Sequence, residues 1–309
     1  MDLRSTIVRW GNSDSTILGL ARSSRVETRA LLLALASTSA CAAVADAQTS
    51  GAPDTVVVQS GGLRLRALLW HPPGSGPFPA VLFNHGSGHA TGSSSGGRDQ
   101  RHPELLGPAF AGHGYVFLYL FRRGDGLSAG EGIPSGDLLD REFAAYGQEG
   151  RNRMQLRLLE TEEMSDAVAG LAFLRALPEV DPRRLAIAGH SFGGSLTLLV
   201  AERDSGLRAA IVFSGAGYSW ERSPPLRKRL LQAVGRTAVP IFFIHAANDY
   251  SVSAGKVLGT ELARLGKPYR VKIYPAVGET HDDGHDFIHR ALPTWEPDVF
   301  AFLDVHVHP

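Results

Sequence analysis

The sequence predicts an α/β protein with an eight-stranded, mostly parallel sheet flanked by helices, and three observations carry that reading. Short apolar runs rich in Val, Ile, Phe and Tyr alternate with longer segments of helical pattern through residues 48–309, as in a chain of strand–helix–strand units. Runs such as Ala80-Val81-Leu82-Phe83 and Ile241-Phe242-Phe243-Ile244 are apolar on both faces, which central strands covered by helices on both sides require. Gly61-Gly62 separates the first two runs and predicts an antiparallel hairpin there.

In chain order, the expected strands are 55–59 and 63–70 in that hairpin, then 80–84, 115–121, 185–189, 209–214, 241–245 and 270–274. Helical patterns fall between or after them at 103–112, 155–176, 193–202, 226–234, 254–265 and 297–305. No internal repeat is present. The low-complexity stretch 86–97, GSGHATGSSSGG, lies directly after the third strand, at the carboxyl end where α/β folds place ligands. Residues 124–153 are polar, Gly-rich and poorly periodic, and read as an irregular excursion over the sheet's carboxyl edge, either part of a lid or a surface loop.

Composition narrows the function classes. The 309 residues carry 31 Lys+Arg against 31 Asp+Glu, 43% hydrophobic residues and one Cys. Disorder, a collagen-like chain and a basic nucleic-acid binder are excluded, and no charged partner is implied. One Cys forms no internal disulfide and completes no zinc–thiolate site.

At the N-terminus, Arg22, Arg25 and Arg29 precede the apolar run Ala30-Leu31-Leu32-Leu33-Ala34-Leu35-Ala36, and Ala45-Asp46-Ala47 gives the A-x-A pattern of a cleavage site. Residues 1–47 therefore read as a signal peptide, with residues 48–309 as the mature domain, exported to the periplasm or secreted. The apolar run is shorter than the ~20 residues that span a bilayer, so no stable membrane insertion is expected. Lipid attachment at Cys41 is the weaker alternative, because Thr38 stands where such signals usually have Leu. Asp2, Asp14 and Glu27 make the leading segment unusual and suggest a true start further downstream.

The motif that carries chemistry is Gly189-His190-Ser191-Phe192-Gly193-Gly194, a G-x-S-x-G between the Leu185-Ala186-Ile187-Ala188 strand and a helix. A serine in so tight a turn exposes its hydroxyl and brings the next backbone N–H, that of Phe192, to a helix N-terminus, where it faces developing negative charge. Bulky side chains two residues to either side would collide with strand and helix, hence the glycines. A serine hydroxyl is a weak nucleophile, so a base and an orienting acid are required. Asp249 follows the seventh expected strand, and His285 follows the eighth. His285 is preferred to His281 as the base. His245 and His190 read as packed histidines near the site, and His281 as an exposed one.

With Asn84-His85-Gly86-Ser87-Gly88, Phe121-Arg122-Arg123-Gly124, Ala247-Asn248-Asp249 and Gly284-His285-Asp286-Phe287, the chain resembles the dienelactone-hydrolase-like and prolyl-oligopeptidase-like branch of the α/β-hydrolase superfamily over nearly all of residues 55–305. The resemblance implies an α/β-hydrolase fold, a Ser191–Asp249–His285 triad, and the Ser87 backbone N–H as second oxyanion donor beside Phe192. The family's histidine pattern, Gly-His followed by a small or polar residue and Phe, is met at His285 and not at His281. Dienelactone hydrolases proper use a cysteine nucleophile, and Ser191 departs from that.

The expected activity is hydrolysis of a carboxylic ester of a small soluble molecule through an acyl-enzyme, with no cofactor, no metal and no nucleic-acid partner. Its rate should rise with pH as His285 loses its proton. The alternatives are a peptidase or amidase of the prolyl-oligopeptidase-like branch, a thioesterase, a carbohydrate-ester deacetylase, and a non-catalytic ligand-binding protein of the same fold. Metal chemistry at His281, Asp282, Asp283, His285, Asp286 and His289 is a rival that Gly284 and the lack of an H-E-x-x-H pattern weaken. Residues 124–153 and 214–223, with Tyr218 and Trp220, are the candidates for the pocket wall.

Overall fold

The structure is a computed structural model that describes residues 51–89 and 102–308. The expected signal peptide with Cys41, and residues 90–97 of the low-complexity stretch, lie outside the described residues. The strands are β1 (Asp54–Ser60), β2 (Leu63–Trp70), β3 (Phe78–Asn84), β4 (Val116–Leu120), β5 (Val180–His190), β6 (Ala209–Phe213), β7 (Ile241–Ala246) and β8 (Tyr269–Tyr274). They form one sheet in the order β1-β2-β4-β3-β5-β6-β7-β8. Only the β1/β2 and β2/β4 pairs are antiparallel. From β4 onward the neighbours run parallel, so β3 and β5 to β8 end at the same edge.

Alternation along the strands divides the core in two. Val81 and Phe83 of β3, with Phe242 and Ile244 of β7, pack toward helices α1 (Pro103–Gly112), α8 (Phe287–Arg290) and α9 (Leu292–Val307), meeting Phe110, Phe287, Trp295 and Phe300. Ala80 and Leu82, with Ile241 and Phe243, pack toward the opposite layer of α2 (Ser135–Glu160), α3 (Glu162–Ala176), α4 (Phe192–Arg203), α5 (Pro224–Arg236) and α6 (Ser253–Arg264). Both faces are dry because each side chain along these strands has its own helix layer. Full burial of such a Leu or Phe stabilises by about 1.5–3 kcal/mol.

Two expectations need correction. Residues 124–153 are mostly helical: a short 3-10 turn (Gly126–Ser128) leads into α2. Helical periodicity fails there because much of α2 is exposed and needs no apolar stripe. Glycine at 147 also breaks the helix, with φ 62° and ψ −157°. The single helix expected at 155–176 is two, α2 and α3, meeting at Thr161, whose φ of −123° and ψ of −91° are not helical. A smaller difference is α9, which starts at Leu292 with Pro293 in its first turn and carries Pro297 inside, rather than starting at Pro297.

Candidate active site

β5 ends at His190 and α4 begins at Phe192, leaving Ser191 as a one-residue turn with φ 54° and ψ −114°. A non-glycine residue held there costs about 1–3 kcal/mol. Its surroundings enforce it: the Ser191 N–H donates to the Phe213 carbonyl at 2.9 Å, and its own carbonyl accepts from the Ser195 N–H at 3.1 Å. The flanking glycines follow from space. A Cβ at Gly189 would lie 2.6 Å from Thr197 Oγ1, and one at Gly193 would overlap the carbonyl oxygens of Asn84 and His85. The G-x-S-x-G spacing is thus imposed by a helix folded back on its own strand and against the end of β3.

Two other strand ends supply the facing groups. Asp249 sits in the turn after β7, its N–H donating to the Ala246 carbonyl at 3.1 Å. His285 closes the short helix α7 (His281–His285), which Thr280 and Asp283 start with a reciprocal capping box. Ser191 Oγ lies 2.7 Å from His285 Nε2, and His285 Nδ1 lies 2.7 Å from Asp249 Oδ1. An ionised carboxylate only accepts, so the imidazole proton is on Nδ1 and Nε2 is free to accept from the serine hydroxyl. Asp249 Oδ1 also accepts from the Tyr250 N–H at 2.7 Å, and Oδ2 faces His245 Nδ1 at 2.8 Å. One buried carboxylate therefore holds two imidazoles. The His285 carbonyl is fixed as well, accepting from His190 Nε2 at 2.8 Å and Ser214 Oγ at 3.1 Å.

Burial pushes the Asp249 carboxyl up, but the hydrogen bonds from His245 and His285 outweigh it and hold the group well below the usual carboxylate range. It is therefore ionised at neutral pH. His190 is also shifted down, but here the shift removes charge: burial first, then repulsion from His285 and His289, lowers its pKa to about 3 and keeps the ring neutral. A histidine whose folded pKa lies below its unfolded value of about 6.5 contributes stability that is full above that value and declines as pH falls toward 3. Between pH 7 and 4.5 the protein should lose about 2 kcal/mol of unfolding free energy from this group. Urea unfolding of parent and His190→Gln at both pH values checks it: the variant should lose correspondingly less, and equal losses would contradict the assignment.

The loop after β3 completes the surroundings of Ser191. A Cβ at Gly86 would lie 3.7 Å from Ser191 Cβ, so the backbone of residues 85–88 passes beside the nucleophile candidate. As the first residue of α4, Phe192 has an N–H with no intrahelical acceptor. Ser87 is half-buried in the facing loop.

The family model described as the dienelactone hydrolase family matches residues 95–290. The chain belongs to this family. Among curated proteins, an uncharacterized peptidase of Bacillus subtilis (strain 168), YtmA, is 26% identical over 247 residues, 71% of this chain and 83% of that one. Among solved structures, Est1E of Butyrivibrio proteoclasticus with ferulic acid bound is similar over 82% of this chain and 100% of its own, with a TM-score of 0.59 at 18% identity. Pyrococcus horikoshii acylaminoacyl peptidase is similar with a TM-score of 0.59 at 18% identity, over 84% of this chain. This chain spans only 42% of that peptidase. At such identities the two structures establish the α/β-hydrolase fold.

In this dienelactone hydrolase family member the structure thus brings Ser191, His285 and Asp249 together at the carboxyl edge, between strands whose order reverses around β3 and β5. The remaining acidic and histidine side chains of the 281–289 segment have separate partners: Asp282 with the Tyr250 hydroxyl, Asp283 with Thr280, and Asp286 with His289. His281 is exposed and meets the Asn248 carbonyl at 3.1 Å. Tyr218 is exposed and stands edge-on to Tyr250, which stands edge-on to His285. Trp220, expected on the pocket wall, is 3% exposed and belongs to the core. Sequence reading missed Tyr250 and the Asp249 contact of His245, although a histidine four residues before an acid across a strand-end turn was a usable signal.

Proposed function

We propose that the protein is a serine hydrolase that cleaves carboxylic esters of small molecules, with Ser191 as nucleophile, His285 as general base and acid, and Asp249 as its orienting carboxylate. The observation that carries this reading is the unbroken hydrogen-bonded series from Ser191 Oγ through His285 to Asp249, with 2.7 Å at each step. His285 Nε2 takes the hydroxyl proton as Oγ attacks the ester carbonyl. The backbone N–H groups of Phe192 and Ser87 receive the oxyanion. Collapse of the tetrahedral adduct expels the alcohol with the proton from His285, leaving an acyl-Ser191. Water then repeats the sequence in reverse roles and releases the acid.

A peptidase is the second reading, favoured by the names of the Bacillus subtilis relative and the Pyrococcus horikoshii neighbour. The Est1E structure holding ferulic acid supports an acid-releasing esterase. Matched acyl p-nitrophenyl esters, acetate to octanoate, and p-nitroanilides separate the two. The ester reading expects kcat/KM to favour the ester far beyond the intrinsic reactivity difference set by buffer hydrolysis, and the chain-length profile sizes the acyl pocket. Anilide turnover equal to or above that of the ester, after the same correction, would establish the peptidase reading instead.

A further inference from the structure

Arg122 is fully buried at the end of β4, 1% exposed, and nothing in the mechanism above uses it. Its Nε donates to Glu163 of α3, and its Nη2 donates to the carbonyls of His85 and Gly86, both at 3.0 Å. Its backbone N–H donates to His85 Nε2 at 3.2 Å, which puts the His85 proton on Nδ1, where it donates to the same Gly86 carbonyl at 2.8 Å. The guanidinium also lies over the Phe192 ring, 5.7 Å from its centroid. One cation therefore joins α3, the loop after β3 and the first residue of α4. The loop is pinned from its far side too, since the Gly88 carbonyl accepts from the Gly136 N–H of α2 at 2.8 Å.

The carbonyl of Gly86 and the N–H of Ser87 belong to one planar peptide unit and point in opposite directions. A charged donor that draws the Gly86 oxygen inward consequently turns the Ser87 N–H outward, and polarisation of the amide makes that N–H a stronger donor. We infer that Arg122 is a positioning residue that orients the Gly86–Ser87 peptide so that the Ser87 N–H is fixed for the oxyanion before substrate arrives. This rests on the serine-hydrolase reading given above and deepens it. Arg122 touches neither substrate nor reacting atoms; it acts through one peptide plane.

Removing Arg122 alone would strand the buried Glu163 carboxylate, so the informative variant is R122M/E163M, which replaces both ends of the pair by unbranched apolar side chains. R122K keeps the charge but lacks the planar fork that reaches Glu163 and two carbonyls together. The measurements, on the full chain, are kcat and KM for p-nitrophenyl acetate, thermal unfolding, and the inhibition constant of an aryl trifluoromethyl ketone. That ketone accepts the Ser191 oxygen at its carbonyl carbon, while its oxygen takes the negative charge and the serine proton passes to His285.

Loss of an oxyanion donor costs about 10²–10³ in kcat, and a mispositioned one should cost roughly 10–100-fold. The inference expects that fall in kcat for folded R122M/E163M with KM within about threefold, and an inhibition constant that rises by the same factor as kcat/KM falls. R122K should lie between variant and parent, and it provides the test if the double variant does not fold. Variants that fold and keep kcat and inhibitor affinity within about twofold of the parent would overturn the inference while leaving the serine-hydrolase reading standing. Parent turnover that survives Ser191→Ala would remove that reading, and this inference with it.

Discussion

Ser191→Ala should lower kcat for p-nitrophenyl esters by about 10⁴-fold or more, with an unfolding midpoint close to that of the parent. The hydroxyl is the only group at the strand–helix turn within reach of His285 Nε2, at 2.7 Å, so its loss removes the covalent route outright. What remains is hydrolysis by water in a site that still stabilises an oxyanion, which retains a modest advantage over solution. Stability should change little because Ala suffers the same strain at φ 54° as Ser, and the Phe213 and Ser195 backbone hydrogen bonds persist. Initial rates at saturating substrate, beside a thermal melt, check both halves. A folded variant within tenfold of the parent would mean that esters are cleaved elsewhere.

Asp249→Asn should cost about 10⁴-fold in kcat at neutral pH, although it changes only one atom pair. The parent carboxylate accepts from three donors: His285 Nδ1, His245 Nδ1 and the Tyr250 N–H. A carboxamide offers one accepting oxygen and one donating nitrogen, so it cannot satisfy both imidazoles in their present tautomers. Placing its NH₂ toward His285 forces that proton onto Nε2, where the ring no longer accepts from Ser191. Placing it toward His245 instead sets it against the His245 Nδ1–H, or moves that proton to His245 Nε2, which is buried without a hydrogen-bond partner. The variant also loses the ionised group that stabilises imidazolium during turnover. Steady-state kinetics measure the activity loss. Urea unfolding at pH 7 should show a smaller, separate loss, because the depressed Asp249 carboxyl contributes stability above its unfolded pKa that disappears as pH falls through its folded one.

The parts of this fold that depend on burial on both faces were legible. β3 and β7 match their expected apolar runs and extend them by one or two residues, while β2, which is not buried on both faces, was placed at Leu63–Trp70 by the Gly61-Gly62 hairpin. The nucleophile turn was legible for a steric reason, since Gly189 and Gly193 each lack room for a Cβ. His285 was separated from His281 by the Gly-His-Asp-Phe pattern of the family resemblance, and the structure gives that glycine a steric reason, since a Cβ at Gly284 would lie 2.5 Å from Asn248. α2 was not legible: the exposed Phe143 and Tyr146 face solvent rather than a core, and Gly147 breaks the period. Trp220 was expected on a pocket wall because it sits in a polar loop at the sheet's carboxyl edge, whereas its indole is buried in the hydrophobic core. The sequence motif around Arg122 marked a family likeness, yet its two carbonyl acceptors lie 36 and 37 residues away, and only the three-dimensional fold brings them together.

The most direct test of the central claim is rapid mixing of the full chain with a slowly deacylating p-nitrophenyl ester, followed by acid quench and mass mapping of the digested protein. A burst of p-nitrophenol equal to the enzyme present and a single acyl adduct on the peptide containing Ser191, both absent from Ser191→Ala, are expected. Turnover without a burst and without an adduct, or an adduct on another residue, would contradict that claim.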